Sequence, residues 1–273
     1  MRKLYARSIV MSAKKKSFTK RIAGAVEKTA LKHFKPYTSA IITVGGSGTR
    51  MQTDDGRTKQ FMELDGLPVI ARTLLVFDRS QYIDEIIIVS KENEIGHYAK
   101  LIKEYGLKKI SRVVKGGATR QESVLNGFKA ISEKSDYVAI HDGVRCLITP
   151  NNIREVVKNA YAYGCACAAT KSVDTVKIAD SSSFIDTTPD RSTVWQAQTP
   201  QVFKADVYRA CAFSAKKEGA SVTDDCMLAE RYGFKIKLVD CGKSNLKITT
   251  KEDLAIAEAI LKMRKAEGAE EQL

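Results

Sequence analysis

Residues 40–51 read A-I-I-T-V-G-G-S-G-T-R-M, a short apolar run followed at once by a glycine-rich stretch. The β-branched residues predict a strand over residues 40–44, and the glycines predict a loop at its carboxyl end. Glycine permits positive φ angles and lets backbone N–H groups come close to a ligand. The stretch lacks the G-x-x-x-x-G-K-[ST] pattern of a P-loop, and a dinucleotide fingerprint would need glycine where Met51 stands. We therefore expect a strand-end binding loop of another kind.

Strands and helices alternate outward from this stretch along most of the chain. Further strands are predicted at residues 85–89, 111–115, 137–140, 165–170 and 235–239, and helices at residues 69–77, 92–105, 120–132, 152–163, 205–218, 225–232 and 251–264. This pattern is typical of an α/β fold, here a Rossmann-like, mostly parallel sheet with helices on both faces. Ligands of such sheets bind beyond the carboxyl ends of the strands. Polar clusters follow three predicted strand ends, at residues 45–50, 116–120 and 141–145.

The alternation stops over about residues 171–200, which are β-prone and polar, with turn residues at 180–183 and 189–190. This composition predicts a β-hairpin arm that projects from the sheet. We therefore divide the chain into a basic N-terminal extension at residues 1–37, a single α/β domain with the arm at residues 38–265, and a short C-terminal tail at residues 266–273.

The net charge of +13 is concentrated in the extension. Residues 1–37 hold eleven Lys and Arg and one Glu, a balance of +10, so only +3 remains for residues 38–273. We therefore do not expect nucleic acid as a partner. No apolar run approaches the roughly 20 residues that span a bilayer, and the basic start lacks the apolar core of a secretory signal. These features predict a cytoplasmic protein without a membrane partner.

The cysteines predict no metal site. Six of them, at positions 146, 165, 167, 211, 226 and 241, include no C-x-x-C pair, and the chain has only three histidines. That combination gives little support for zinc. Several of the cysteines lie within or beside apolar stretches, as buried free thiols do. We expect reduced, structural cysteines, which are typical of the cytoplasm.

Two cations flank the first glycine stretch. Arg50 ends it, and Lys59 follows nine residues later. An arginine offers a planar bidentate fork and a lysine a compact point charge, and the pair suits a polyphosphate ligand. The combination favours a phosphate-binding role over two solvated surface cations.

The first stretch, together with K-Q-F at residues 59–61, resembles the opening signature of the 2-C-methyl-D-erythritol 4-phosphate cytidylyltransferases. Further blocks follow in that family's order: G-G-A-T-R-Q-E-S-V at 116–124, H-D-G-V-R at 141–145, V-D-T-V-K at 173–177, D-R at 190–191, T-P-Q-V-F at 199–203, T-D-D at 223–225 and N-L-K-I-T at 245–249. The resemblance runs from about Ser39 to Leu261. It implies an enzyme that transfers CMP from CTP to methylerythritol phosphate, releasing pyrophosphate.

The resemblance also implies roles for individual residues. CTP would be bound by Val44, Gly45, Gly46, Gly48, Gly117, Ser123, Asp142 and Gly143. The catalytic residues would be Arg50, Lys59, Arg191 and Lys247. The acceptor would be held by Arg145, Thr175, Thr199 and Thr223. Asp142 would also bind Mg²⁺ or another divalent cation, the one cofactor implied, and the arm would reach across a homodimer.

Several alternatives stay open at this point. The ribitol 5-phosphate cytidylyltransferases share the sequence motifs G-G-x-G-T-R-M and S-N-L-K-I-T-T. The G-A-T-R-Q-E-S-V and D-R-S blocks nevertheless favour methylerythritol phosphate as the acceptor. A dinucleotide-dependent oxidoreductase would need the missing glycine, and a catalytically inactive regulator could share the fold. We expect His141 to orient its loop rather than titrate in catalysis. Asp224 and Asp225 are interpreted as acids at a helix N-terminus rather than metal ligands.

Overall fold

The structure is a computed structural model, and it describes residues 35–44 and 58–268. Its strands are β1 (Thr38–Thr43), β2 (Glu63–Leu64), β3 (Leu67–Pro68), β4 (Glu85–Ser90), β5 (Ile110–Lys115), β6 (Tyr137–Asp142), β7 (Cys165–Lys171), β8 (Ile178–Ala179), β9 (Ile185–Thr187), β10 (Trp195–Lys204) and β11 (Lys237–Asp240). Its α-helices are α1 (Val69–Arg79), α2 (Ile95–Glu104), α3 (Arg120–Phe128), α4 (Pro150–Tyr163), α5 (Ala205–Glu218), α6 (Asp225–Arg231) and α7 (Lys251–Ala266). Short 3-10 turns lie at Lys59–Phe61, Glu92–Glu94 and Arg191–Thr193. The predicted strands and helices are present, with ends shifted by a few residues.

Seven strands form the main sheet, in the order β11-β7-β10-β6-β1-β4-β5. Strands β5, β4, β1 and β6 run parallel to one another, and β11 runs parallel to β7. Strand β10 lies between β6 and β7 and is antiparallel to both. The predicted mostly parallel sheet is therefore confirmed. It brings the carboxyl ends of β1, β4, β5 and β6 to one edge.

Helices cover both faces of the sheet. On one face, Ile41 and Ile140 belong to a buried apolar cluster with residues of α3, α5 and α6. Neighbouring residues of a strand point to opposite faces. On the other face, the ring of His141 accordingly lies 4.8 Å from the ring of Phe77 in α1. This layering confirms the Rossmann-like α/β class.

Only part of residues 171–200 projects from the sheet. Strands β8 and β9 pair antiparallel with each other, and all of their residues are exposed. From Trp195 onward the chain instead enters the main sheet as β10, pairing first with β7 and then with β6. Thr199 is thus buried within the sheet rather than placed on the arm. The polar residues at the start of β10 gave no local sign of this position.

Two further findings bear on the predicted class of protein. All six cysteines are buried and free, as predicted. In the part of the chain that the structure describes, no helix is both long and apolar enough to cross a membrane.

Candidate active site

The carboxyl end of β6 carries a buried carboxylate surrounded by three cations. Asp142 Oδ2 lies 2.9 Å from Lys247 Nζ and 3.6 Å from Arg145 Nε, and Asp142 Oδ1 lies 3.7 Å from Arg120 Nε. We call these four side chains the Asp142 cluster. Three of its members, Asp142, Arg145 and Lys247, are site residues predicted from the sequence. The fold thus brings together groups separated by about a hundred residues of chain.

Asp142 is ionised at neutral pH because of these neighbours. Burial alone would raise its pKa, but the positive charges of Lys247, Arg120 and Arg145 outweigh burial and lower the pKa of Asp142 to about 2. One carboxylate therefore faces several cations at the edge of the sheet where ligands of α/β folds bind. A positively charged site of this kind attracts and orients a polyphosphate.

Arg120 is the member of the cluster for which no role is predicted from the sequence. Its Nη1 lies 2.7 Å from Asp225 Oδ2, and Asp225 Oδ1 accepts a hydrogen bond from the Tyr208 hydroxyl at 3.0 Å. Burial raises the pKa of Asp225, and Arg120 opposes that rise. Asp225 is therefore more than an acid at a helix N-terminus, because it is the ion-pair partner of Arg120. Two signals in the sequence point to Arg120: its position directly after the second glycine loop and its place in the G-G-A-T-R-Q-E-S-V block at 116–124.

Asp224 has the role expected of it. Its Oδ1 accepts a hydrogen bond from Met227 N at 2.8 Å and caps α6. Its Oδ2 accepts another from Gln201 Nε2 at 2.8 Å, while Gln201 Oε1 accepts from the backbone N–H groups of Asp225 and Cys226 at 3.0 and 3.1 Å. The buried Gln201 of β10 thereby fixes the helix that presents Asp225 to Arg120.

His141 and Thr199 support the loop of Asp142 from within the fold. Thr199 Oγ1 accepts a hydrogen bond from Asp142 N at 3.0 Å and lies 3.0 Å from His141 Nδ1. His141 Nε2 lies 3.3 Å from Arg145 O, a carbonyl oxygen that can only accept, so the neutral ring carries its proton on Nε2 and the Thr199 hydroxyl donates to Nδ1. The neutral ring orients the loop, as predicted for His141. The structure gives Thr199 this supporting contact, and its part in acceptor binding stays a prediction.

The burial of His141 predicts a loss of stability in mild acid. Burial lowers the pKa of His141 from 6.5 to about 3, so between these values the unfolded chain binds a proton that the folded protein does not. The unfolding free energy should then fall as the pH falls, by about 1.4 kcal/mol per pH unit well below pH 6.5. Urea unfolding at several pH values measures this slope. The His141→Asn variant, which keeps an acceptor at the δ position, should give a flatter profile, and equal slopes in the two proteins would refute the assignment.

Gly143 allows the β6 loop to lie directly against the end of β1. Gly143 N donates to Thr43 O at 2.9 Å, and Thr73 Oγ1 donates to Gly143 O at 2.8 Å. A Cβ at position 143 would lie 2.4 Å from Val44 Cγ1, so a larger residue does not fit. Val44 itself is buried, and its N–H donates to Val89 O at 2.9 Å. Two residues predicted to bind CTP thus meet where adjacent strands end.

Gly117 and Ser123 shape the second glycine loop, which follows β5. Gly117 N donates to Ser123 Oγ at 3.0 Å, and Ser123 Oγ donates to Thr119 O at 2.8 Å. Thr119 and Glu122 form a capping box at the start of α3. A Cβ at position 117 would lie 2.3 Å from the Cβ of Glu122, so only glycine allows this close approach. The backbone of the loop is therefore held in one conformation at a helix N-terminus.

Lys59 lies beside the segment that carries Lys247. Lys59 Nζ donates to Ile248 O at 3.2 Å, and Ile248 N donates to Val144 O at 3.0 Å. The first 3-10 turn, the β6 loop and the segment before α7 therefore meet at Ile248. This places the two predicted lysines on neighbouring parts of the site.

Three predicted residues lie apart from the Asp142 cluster. Arg191 is on the arm, where its Nη1 donates to Val173 O at 3.0 Å, and Thr175 is exposed on the same arm. Thr223 is exposed just before α6, with its hydroxyl 3.6 Å from Met227 Sδ. Within the described residues, no hydrogen bond or ion pair joins these three side chains to the cluster. Gly45, Gly46, Gly48 and Arg50 lie outside the described residues.

The candidate cation ligand is a single carboxylate. Across residues 35–44 and 58–268, no three His, Cys, Asp or Glu side chains gather in a way that could hold a metal ion. Mg²⁺ is commonly bound by one or two carboxylates together with substrate phosphates and water. The ionised oxygens of Asp142 fit that kind of site, in which most ligands come from the nucleotide.

The mostly parallel sheet, the glycine loop after β5 and the cationic cluster around an ionised Asp142 define a nucleotide-binding α/β protein of the nucleotidyltransferase class. Residues 38–263 match the sequence model of the 2-C-methyl-D-erythritol 4-phosphate cytidylyltransferase family. The chain belongs to this family.

Individual relatives agree with that assignment. The chain is 43% identical to the 2-C-methyl-D-erythritol 4-phosphate cytidylyltransferase of Lachnospira eligens over 227 residues, which cover 82% of this chain and 99% of the relative. It is 40% identical to the enzyme of the same name from Caldanaerobacter subterraneus over 225 residues, 82% of this chain and 98% of the relative. The crystal structure of 4-diphosphocytidyl-2C-methyl-D-erythritol synthase from Anaerococcus prevotii superposes with a TM-score of 0.75 at 35% identity, covering 83% of this chain and 96% of that one.

Proposed function

We propose that the protein transfers CMP from CTP to 2-C-methyl-D-erythritol 4-phosphate, giving 4-diphosphocytidyl-2-C-methyl-D-erythritol and pyrophosphate. Family membership supports the reaction, and the Asp142 cluster is the observation in this chain that carries it. Its cations and single carboxylate lie where the family blocks converge. The ribitol 5-phosphate alternative has less support, because the similar proteins reported above carry the methylerythritol names.

The chemistry requires positioning more than proton transfer. An oxygen of the acceptor phosphate forms a bond to the α-phosphorus of CTP, and the bond from that phosphorus to the bridging oxygen of the β-phosphate breaks. The attacking phosphate is already ionised at neutral pH, so no general base is needed. The protein must bring two anions together and stabilise the charge that develops at the α-phosphate. Fixed cations can do both.

We assign Lys59, Lys247 and Arg50 to the triphosphate. Lys247 pairs with Asp142 in this structure, and its side chain is 41% exposed, so it can also reach a ligand at the mouth of the site. Arg120 and Arg145 are held by fixed partners, Asp225 and the carbonyl of Asn245, the latter 2.9 Å from Arg145 Nη1. These two arginines therefore supply a preorganised positive field.

The base end of CTP is assigned to the two strand-end glycine loops. Val44 and Gly143 approach each other closely at the ends of β1 and β6, and Gly117 is held by Ser123 after β5. Backbone donors and acceptors in such loops can recognise a pyrimidine edge because no side chain intervenes. Asp142 would face the ribose and hold the magnesium ion. When bound, that ion would neutralise charge on the phosphates of the leaving group.

We further propose that the protein acts as a homodimer through its arm. Val173, Ile178, Phe184 and Ile185 are exposed apolar residues of the arm, at 51%, 48%, 72% and 63%. Several exposed apolar side chains on one short segment favour an interaction site. Arg191 is on the same arm and is not joined to the Asp142 cluster of its own chain. Each arm would carry Arg191 and Thr175 to the acceptor phosphate in the partner's site.

Light scattering coupled to gel filtration should therefore report a dimer. Replacing both Phe184 and Ile185 by aspartate should give a monomer that still binds CTP but has lost most transfer activity, because Arg191 and Thr175 reach the acceptor phosphate only from the partner's arm. The matched control is Ile256→Asp, which charges an apolar position on α7 that is also exposed, at 52%. A wild-type monomer with full turnover would refute the dimer proposal.

The acceptor is tested by pyrophosphate release with CTP, Mg²⁺ and each polyol phosphate in turn. We expect turnover with methylerythritol phosphate and little with ribitol 5-phosphate at the same concentration. Turnover with ribitol 5-phosphate alone would show instead that the enzyme is a ribitol 5-phosphate cytidylyltransferase.

We also propose that the enzyme works in the cytoplasm. Its six buried cysteines are all free, and a reducing compartment keeps thiols in that state.

A further inference from the structure

A second buried carboxylate links two segments assigned to CTP. Glu94 Oε2 accepts a hydrogen bond from Gln60 Nε2 at 2.7 Å and another from Ser90 Oγ at 3.3 Å. The three residues are 5%, 4% and 0% exposed, respectively. Gln60 follows Lys59 directly in the chain. Ser90 ends β4, and its carbonyl accepts a hydrogen bond from Gly116 N at 2.8 Å, at the entrance to the second glycine loop.

Helix stability does not explain this use of Glu94. The residue occupies the N-cap position of α2, where a side-chain oxygen normally accepts a hydrogen bond from a backbone N–H of the first turn. Glu94 makes no such bond. Its other oxygen, Oε1, is buried and has no hydrogen-bond partner among the residues that the structure describes, which destabilises the folded state. The carboxylate is directed instead at the turn that carries Lys59.

The hydrogen bond from Gln60 determines how that turn is oriented. Gln60 is the only buried residue of the turn Lys59–Phe61. The ring of Phe61 also contacts α2, at 5.6 Å from His97 and 5.5 Å from Tyr98. Ring contacts of this kind tolerate sliding, whereas a short hydrogen bond to a carboxylate fixes both distance and direction. Glu94 therefore holds the Lys59 end of the turn.

We propose that Glu94 is a positioning residue for CTP. Through Gln60 and Ser90 it sets the distance between Lys59, assigned to the triphosphate, and the glycine loop assigned to the base. Glu94 touches no substrate, and this role rests on the proposed function of Lys59 and of the loop. Disturbing Glu94 should weaken CTP binding and raise the KM for CTP, while the KM for the acceptor stays the same.

A reciprocal exchange of the two side chains tests the proposal. Gln60→Glu places two carboxylates within hydrogen-bond distance, and we expect the Kd for CTP, measured by titration calorimetry, to rise about tenfold or more. The double variant Gln60→Glu with Glu94→Gln restores the bond with donor and acceptor interchanged. Its Kd should return to within about threefold of the wild type. A purely structural role would change melting temperature without this recovery of CTP affinity.

Controls keep the outcome unambiguous. Glu92→Gln removes an exposed carboxylate from the same segment, where Glu92 pairs with Lys115, and should leave CTP affinity unchanged. If Gln60→Glu fails to fold, Glu94→Leu provides the same loss of the bond, and a CTP affinity equal to the wild type would overturn the proposal. A double variant that is no better than Gln60→Glu would also overturn it. Because CTP binding is measured directly, the result stands apart from the identity of the acceptor: binding without transfer to methylerythritol phosphate would count against the proposed function alone.

Discussion

Replacing Lys247 by alanine should lower kcat about a hundredfold or more while the protein stays folded. Lys247 Nζ is a preorganised cation, 2.9 Å from Asp142 Oδ2 at the mouth of the site. Its charge opposes the repulsion between the two anionic substrates and stabilises the charge that develops in the transition state. Circular dichroism measures whether the variant is folded, and initial rates of pyrophosphate release at saturating substrates measure its kcat.

Lys243→Ala is the matched control for Lys247. Lys243 lies in the same segment before α7 and is exposed, so its loss should change the rate little. A Lys247→Ala variant that turns over near the wild-type rate would contradict the role given to this lysine.

Asp142→Asn should both destabilise the protein and abolish most turnover. The change keeps the shape of the side chain but removes the negative charge that Lys247, Arg145 and Arg120 share. The pKa of Asp142 is lowered to about 2 in the folded state, from 3.8. A depressed carboxyl pKa contributes stability that is present above pH 4 and is lost as the pH falls toward 2. The wild type should therefore exceed the variant by about 2 kcal/mol or more in unfolding free energy at neutral pH.

The loss of turnover for Asp142→Asn should be on the order of a hundredfold or more, because a cation ligand and the anchor of three cations disappear together. Urea unfolding at pH 7 and pH 3, with rates measured on folded protein, separates the two effects. Asp206→Asn, at an exposed site in α5, controls for a simple loss of one negative charge. A stability difference that is the same at both pH values would contradict the assigned ionisation of Asp142.

Local features of the structure could be predicted from the sequence. Alternating apolar runs and amphipathic stretches predicted the α/β fold because strands and helices are specified by short-range periodicity. Asp224 was identified as an acid at the start of a helix, and it caps α6. The prediction that His141 orients its loop agrees with the hydrogen bonds that its ring makes to the Thr199 hydroxyl and the Arg145 carbonyl.

Contacts between residues far apart in the chain could not be predicted from the sequence. The position of β10 between β6 and β7 depends on the whole strand order, whereas the local sequence at the polar start of that strand predicts part of the arm. The ion pair of Arg120 with Asp225 joins the start of α3 to the start of α6. The local sequence around either residue does not predict this pairing. Likewise, nothing local indicated that Glu94 would bind Gln60 rather than cap its own helix.

Phosphorus NMR of the purified protein with CTP, methylerythritol phosphate and Mg²⁺ tests the central claim most directly. The transfer of CMP predicts the signals of a new diphosphate diester and of free pyrophosphate, growing in equal amounts as CTP and the acceptor monophosphate disappear. CTP left unchanged, or converted to CMP or orthophosphate without a diester, would contradict it.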